Sequence, residues 1–245
     1  MELNNLIADQ NVPIPSSKAY LWSEANANGL QLGRYLTLKE WEFILDTFRK
    51  HGFPKNILDV GGGDGRFAVR LNEIGSRVIV LDRDPIPIQD LQHRGWEQPV
   101  LIGDGNQLPF QESSFDAVIA IEVIGYIHLE CFLESVRRLL KPGGLLIMTS
   151  YNAISLLKLV KLLNPFHQHR KIYPDPSRSF WACKRIIREF GFRYVESYGF
   201  RWIPGNRKSN NRLIPFWSRL EKLLLLKRIP QLSPWIFWVL KPEKK

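Results

Sequence analysis

The chain has 245 residues, of which 44% are apolar, 24% charged and 12% aromatic. That composition excludes a wholly disordered or fibrous protein and is enough for one domain with a buried core. Its two cysteines, Cys131 and Cys183, lack CxxC or metal-ligand spacing, which excludes a disulfide scaffold and a zinc ribbon and points to a reducing cytoplasm.

The net charge of +10 is unevenly spread. Residues 1–150 hold 14 Lys and Arg against 19 Asp and Glu, whereas residues 151–245 hold 20 against 5. An acidic or neutral body with a basic surface facing something anionic is the expectation. The first ten residues carry no basic stretch followed by an apolar one, so no signal peptide is expected. No apolar run approaches the ~20 residues that span a bilayer.

Residues 1–36 are polar and rich in Pro and Asn, and read as an N-terminal arm or lid. Leu38, Trp41, Leu45 and Phe48 then recur at helical spacing, which predicts a helix over 37–51. Thr37 would cap it, Glu40 would complete a capping box, and Gly52 would stop it. Apolar runs at 56–60, 78–81, 100–102, 117–121 and 145–150 have the length and branching of buried parallel strands. Helical stretches at 66–74, 86–94 and 130–140 lie between them. Such alternation predicts an α/β fold, a mostly parallel sheet with helices on both faces, over a core of residues 37–200. Further on come helices at 154–163 and 180–190, the second ended by Gly191, and strands at 193–198 and 235–240. Residues 201–245 form a basic, aromatic segment that completes the sheet, with an insertion at 204–234 containing a helix over 217–228.

Residues 57–67 read ILDVGGGDGRF, a strand entering a loop with glycine at 61, 62, 63 and 65 and then a helix. Glycine suits a tight turn that a ligand approaches closely. The third glycine of the dinucleotide fingerprint would fall at 66, which is Arg66, and the GK[ST] of a phosphate-binding P-loop is absent. Asp59 lies inside the strand, two residues before Gly61, where a carboxylate would repel a pyrophosphate and suit a cation. Asp82 ends the second strand, where an acid can accept both hydroxyls of a ribose. Asp104 ends the third, where it or the adjacent backbone can read an adenine edge.

Together these residues resemble the class I S-adenosylmethionine-dependent methyltransferases of the small-molecule type. The family's first motif matches Asp59, Gly61, Gly63 and Gly65, its ribose-binding acid Asp82, its adenine-side acid Asp104, and its Pro-Gly-Gly turn residues 142–144. The resemblance covers roughly residues 55–200. It implies a Rossmann-like doubly wound sheet and S-adenosyl-L-methionine as cofactor, with Arg83, Gly105 and Ile121 also beside that cofactor.

The methyl acceptor is less legible. Relatives often carry a Glu…Glu-His arrangement after the fourth strand, and some hold a metal there; only Glu122 matches, with Gly125 and Tyr126 at the other positions. No metal is therefore expected. Nucleic-acid signatures such as NPPY or a Pro-Cys nucleophile are missing. Tyr126 and His169, the latter in the stretch FHQHRK at 166–171, are the candidate catalytic residues. An imidazole at His169 or His167 has the pKa to take a hydroxyl proton, although the same stretch also reads as a surface loop.

An oxygen of a small-molecule, glycan or lipid-linked acceptor is expected, with nitrogen second. An RNA methyltransferase and a non-catalytic S-adenosylmethionine-binding partner are the alternatives. In the tail, Leu220, Leu223 and Leu224 stand among Arg219, Lys222, Lys227 and Arg228. That segment reads either as packed on the sheet, as lying on an anionic membrane, or as an RNA groove.

Overall fold

A computed structural model of the chain describes residues 31–158, 178–203 and 214–243. Helix α1 (Gln31–His51) precedes strand β1 (Asn56–Val60), followed by α2 (Ala68–Glu73), β2 (Arg77–Asp82), α3 (Pro85–His93) and β3 (Val100–Ile102). Then come β4 (Phe115–Ala120), α4 (Leu129–Leu139), β5 (Leu140–Tyr151), α5 (Phe180–Glu189), β6 (Phe192–Phe200), α6 (Ile214–Leu223) and β7 (Trp235–Pro242).

The strands form one sheet in the order β3-β2-β1-β4-β5-β7-β6. Strands β1 to β5 pair in parallel, and β7 lies antiparallel between β5 and β6. The mixed α/β sheet anticipated from the strand–helix alternation is what the chain forms. Its strand order reverses between β1 and β4, and in such sheets the crevice beyond the carboxyl ends at that point is where ligands bind.

Strand alternation divides the core into two layers. Ile57, Val80, Ile119 and Phe237 pack with Phe48 of α1, Leu71 of α2 and Leu91 of α3 on one face. Leu58, Val60, Val118 and Trp238 pack with Phe132 and Leu133 of α4 and Ile187 of α5 on the other. Both faces are covered, so the central strands are buried nearly throughout. Ser179 caps α5 by accepting from the Ala182 N–H, and Asp84 caps α3 by accepting from Ile86.

Two expectations about helices are corrected. Helix α1 is already formed at Gln31, upstream of the expected Thr37 cap. Leu32 and Leu36 extend its apolar stripe upstream, so Thr37 and Glu40 sit buried inside the helix and no capping box forms. Leu38, one of the residues recurring at helical spacing, is 43% exposed. The helix anticipated over 217–228 is also not continuous. It ends at Leu223; Leu225 takes a left-handed conformation, and a single 3-10 turn follows at Leu226–Arg228. Of the helix anticipated over 154–163, residues 156–158 are helical and the rest lies outside the described residues.

Candidate active site

The carboxyl ends of β1, β2 and β4 meet at the glycine loop. Gly61, Gly63 and Gly65 all have positive φ, at 69°, 54° and 76°. Three left-handed residues within five positions reverse the chain from β1 toward α2, a path open to glycine and costly for a side chain. At Gly61 a Cβ would stand 2.2 Å from the Val123 Cγ2, so the segment after β4 lies directly against the loop. Gly63 differs: a Cβ there would meet nothing nearer than the Asp82 Oδ2 at 3.7 Å, which leaves that side of the backbone open.

Asp82 joins the loop to β2. Its Oδ2 accepts from the Gly63 N–H and its Oδ1 from the Asp84 N–H, both at 2.9 Å. Burial pushes its pKa up, and the backbone N–H groups oppose that shift. Each carboxylate oxygen still has a lone pair for a further donor. Asp59, only 2% exposed, sits beneath Gly62. Its Oδ2 has no hydrogen-bond partner among the described residues. Desolvation pushes its pKa up to about 7, with Arg66 pulling it down and Asp82 and Asp64 pushing it further up.

The remaining candidates are placed less centrally. Asp104 is exposed after β3, and its Oδ1 accepts from both the backbone N–H and the side-chain amide of Asn106 at 2.9 Å. Asn106 in turn accepts from the His128 N–H at 2.7 Å, which ties this loop to the start of α4. Gly105 is buried, and a Cβ there would press on Val60 and Ile127 at 3.2 Å. Ile121 is buried directly after β4, whereas Arg83 is exposed. Tyr126 stands 51% exposed on the segment after β4. His169 and His167 lie outside the described residues.

Two features escaped sequence reasoning. Arg66 of the loop donates to the Glu40 Oε2 at 2.7 Å, with the two side chains 6% and 0% exposed. This buried pair fastens the loop to α1. Its sequence signal is a glutamate at a position continuing the Leu32–Leu36 stripe, read there as part of a cap. The other is Glu122, which takes φ 67° and donates its N–H to the Thr149 Oγ1 at 2.7 Å. Left-handed backbone at a bulky residue carries strain, and such strain concentrates at functional sites.

Residues 58–148 match the methyltransferase domain family. An uncharacterised methyltransferase of Mycobacteroides abscessus is 28% identical over 194 residues, covering 76% of this chain and 70% of that protein. The mitochondrial ubiquinone biosynthesis O-methyltransferase of Schizosaccharomyces pombe is 27% identical over 164 residues, covering 62% of this chain and 58% of that protein. The chain spans between 30% and 70% of the lengths of the first curated relatives it matches. Among solved structures, an S-adenosylmethionine-dependent methyltransferase of Clostridium acetobutylicum superposes with a TM-score of 0.60 at 14% identity, over 83% of this chain and 90% of that one. At that identity the likeness speaks for the fold alone. The family match runs from within β1 through the glycine loop and into β5, so the stretch that builds this site is similar to a methyltransferase domain.

Proposed function

We propose that the protein transfers the methyl group of S-adenosyl-L-methionine to an oxygen, with nitrogen second, of a small-molecule, glycan or lipid-linked acceptor. The observation that carries the cofactor reading is the buried Asp59 carboxylate, one oxygen of which has no donor, beneath a glycine loop whose Gly63 face is open. S-adenosyl-L-methionine, which supplies a methyl group already activated on a sulfonium, brings a positive charge, an ammonium and a ribose. Asp59 suits the positive charge, and Asp82 is placed for the ribose hydroxyls. The Gly63 backbone allows close approach, while Asp104 and Gly105 border the adenine side. Because the methyl is already activated, the chain's task is proximity and alignment, which supply several kcal/mol of barrier lowering.

The oxygen assignment is supported by relatives. One is the ubiquinone biosynthesis O-methyltransferase of Schizosaccharomyces pombe; another is a malonyl-[acyl-carrier protein] O-methyltransferase of Herminiimonas arsenicoxydans, 26% identical over 147 residues. Incubating the protein with methyl-labelled cofactor and a cell extract split into small-molecule, lipid, glycan and RNA fractions tests it. Label recovered as an ether or ester in one of the first three fractions is expected. Label confined to RNA would overturn the reading, and saturable cofactor binding without transfer to any fraction would favour a non-catalytic binding partner.

A peripheral contact with anionic membrane is the second reading, supported by side chains that the alternative would bury. Leu223, Leu224 and Leu225 are 79%, 53% and 47% exposed, and Phe216 is 60% exposed. Arg219, Lys222, Lys227 and Arg228 surround them. No helix among the described residues is long and apolar enough to cross a membrane. Basic residues near an anionic bilayer contribute about 1 kcal/mol each, and inserted leucines add to that. The protein should co-sediment with phosphatidylserine-containing vesicles at low salt and release as salt rises. The triple variant Lys222→Glu, Lys227→Glu, Arg228→Glu should lose this binding and keep its cofactor affinity. Wild-type protein that ignores such vesicles at low salt would refute the membrane contact.

A further inference from the structure

A second recess lies away from the glycine loop, between α1, the end of β6, β7 and the segment after α6. Its volume is about 510 Å3, within the range of small-molecule sites. Its apolar wall is a stack of three rings: Phe237 lies against Phe43 and against Phe200, each at 4.1 Å between centroids and nearly parallel.

The charged groups on its walls divide sharply. Every acid there has a partner: Glu42 pairs with Lys39 at 2.6 Å, Asp46 with Arg49 at 3.0 Å, and Glu221 accepts from the Tyr35 hydroxyl. Three of the cations form no ion pair, although the charge of Glu40 acts on Arg201 and opposes the effect of burial there. Arg201, Lys222 and Lys227 make no ion pair or hydrogen bond among the described residues. Lys222 and Lys227 are exposed, so for them this is unremarkable.

Arg201 is another matter. It follows β6 with φ 63°, a left-handed conformation that an arginine adopts only at a cost. Its guanidinium lies over the Trp235 ring at 4.9 Å, and burial pulls its pKa below the ordinary arginine range. Arg201 is partly buried, and the five N–H donors of its guanidinium meet no protein acceptor among the described residues. Trp235 offers a π face and no acceptor oxygen. The geometry therefore holds a stacked arginine at the wall of an aromatic recess, with no carboxylate paired to it among the described residues.

We propose that this recess binds an organic anion, a carboxylate or phosphate on an apolar body, with Arg201 clamping the charged group and the Phe43–Phe237–Phe200 stack receiving the body. Arginine is suited to this because its planar fork meets either group with two parallel hydrogen bonds. Lys222 and Lys227 also line the recess and add attraction. None of the glycine-loop residues lines this recess, so the assignment goes beyond the methyltransferase reading and concerns a ligand site of its own.

The test uses the full chain and titrates three eight-carbon probes by displacement of the aromatic fluorophore 8-anilinonaphthalene-1-sulfonate: octanoate, octyl phosphate and neutral octanol. Wild-type protein should bind one or both anions at least about tenfold more tightly than octanol, the order of effect of a charge-assisted hydrogen-bond pair. The stronger of octanoate and octyl phosphate identifies the charged group. Arg201→Met should remove that preference, and Arg201→Lys should restore part of it. Octanol binding should change less than about twofold in both. Lys222→Gln with Lys227→Gln, at exposed positions where folding is not at stake, should weaken anion binding by a few-fold. Equal binding of octanol and the anions by wild-type protein, or undiminished anion preference in folded Arg201→Met, would overturn the proposal. Calorimetry with S-adenosyl-L-methionine on the same samples separates the two readings. Cofactor binding without anion preference defeats the recess alone, and anion preference without cofactor binding defeats the methyltransferase reading alone.

Discussion

In the crevice at the ends of β1 and β2 a buried carboxylate oxygen without a hydrogen-bond partner belongs to Asp59; in the recess between α1 and β6 the charged side chains that make no ion pair or hydrogen bond among the described residues are basic, Arg201, Lys222 and Lys227. The first is assembled from short stretches that follow one another along the chain, the loop at 61–65 and the strand ends at 59 and 82. The second gathers residues from Tyr35 to Phe237. The charge imbalance between the two halves of the chain is thus also a separation of two surfaces, one that fits a cation and one that fits an anion. Helix α1 belongs to both, since Glu40 holds Arg66 of the loop while Tyr35 reaches Glu221 beside the recess.

The sharpest way to break this arrangement is to cut α1 from the loop. Glu40→Ala leaves the Arg66 guanidinium buried without its carboxylate and should destabilise the protein by about 3–5 kcal/mol. Urea denaturation measures this; a loss below about 1 kcal/mol would mean that the pair behaves like a surface contact and does not couple the two regions.

A smaller effect is expected at the crevice itself. Asp82→Ala removes the acceptor of the Gly63 and Asp84 N–H groups and the proposed ribose contact. Affinity for S-adenosyl-L-methionine should fall by about 1.5–3 kcal/mol, read by calorimetry, with anion binding in the recess unchanged. Unaltered cofactor affinity would place the ribose elsewhere.

The smallest and most diagnostic effect concerns pH. Burial raises the Asp59 pKa to about 7 in the folded protein, from the 3.8 of an aspartate in water. Between those values the folded state keeps a proton that the unfolded chain has released. The unliganded protein therefore loses stability as pH rises from about 4 to about 7, with no further loss above that. Cofactor affinity should move the opposite way and increase a few-fold between pH 6 and pH 8, as the ionised carboxylate becomes available to a cation. Asp59→Asn should flatten both trends. A wild-type affinity that is level across this range would remove Asp59 from the cation's surroundings.

Much of the fold was legible because its strands are buried on both faces, and continuous apolar runs such as Ile57–Leu58 and Val118–Ile119 need no partner to be recognised. The glycine loop was legible for a related reason: its constraint is local, and backbone that must take positive φ within a few residues demands glycine wherever the chain goes next. Helix α1 shows where this stops. Glu40 and Thr37 satisfy the pattern of a helix start, yet Leu32 and Leu36 carry the helix past them, because burial against the sheet outweighs a cap. The segment after α6 shows the same limit in reverse. Its leucines look like a helical core stripe, but Leu225 turns left-handed and leaves them facing water.

By itself, then, the sequence determined the α/β alternation, the loop after β1 and the acids at the strand ends, all of which depend on neighbours within a few residues or on burial common to every central strand. Only the tertiary structure decided the partners of the charged groups. Glu40 meets Arg66 across 26 residues, Tyr35 meets Glu221 across 186, and Arg201 ends over Trp235 with no ion pair among the described residues. Which charges are neutralised and which are left for a ligand depends on distances that exist only once the sheet has brought α1, β6 and β7 together, and no spacing along the chain encodes them.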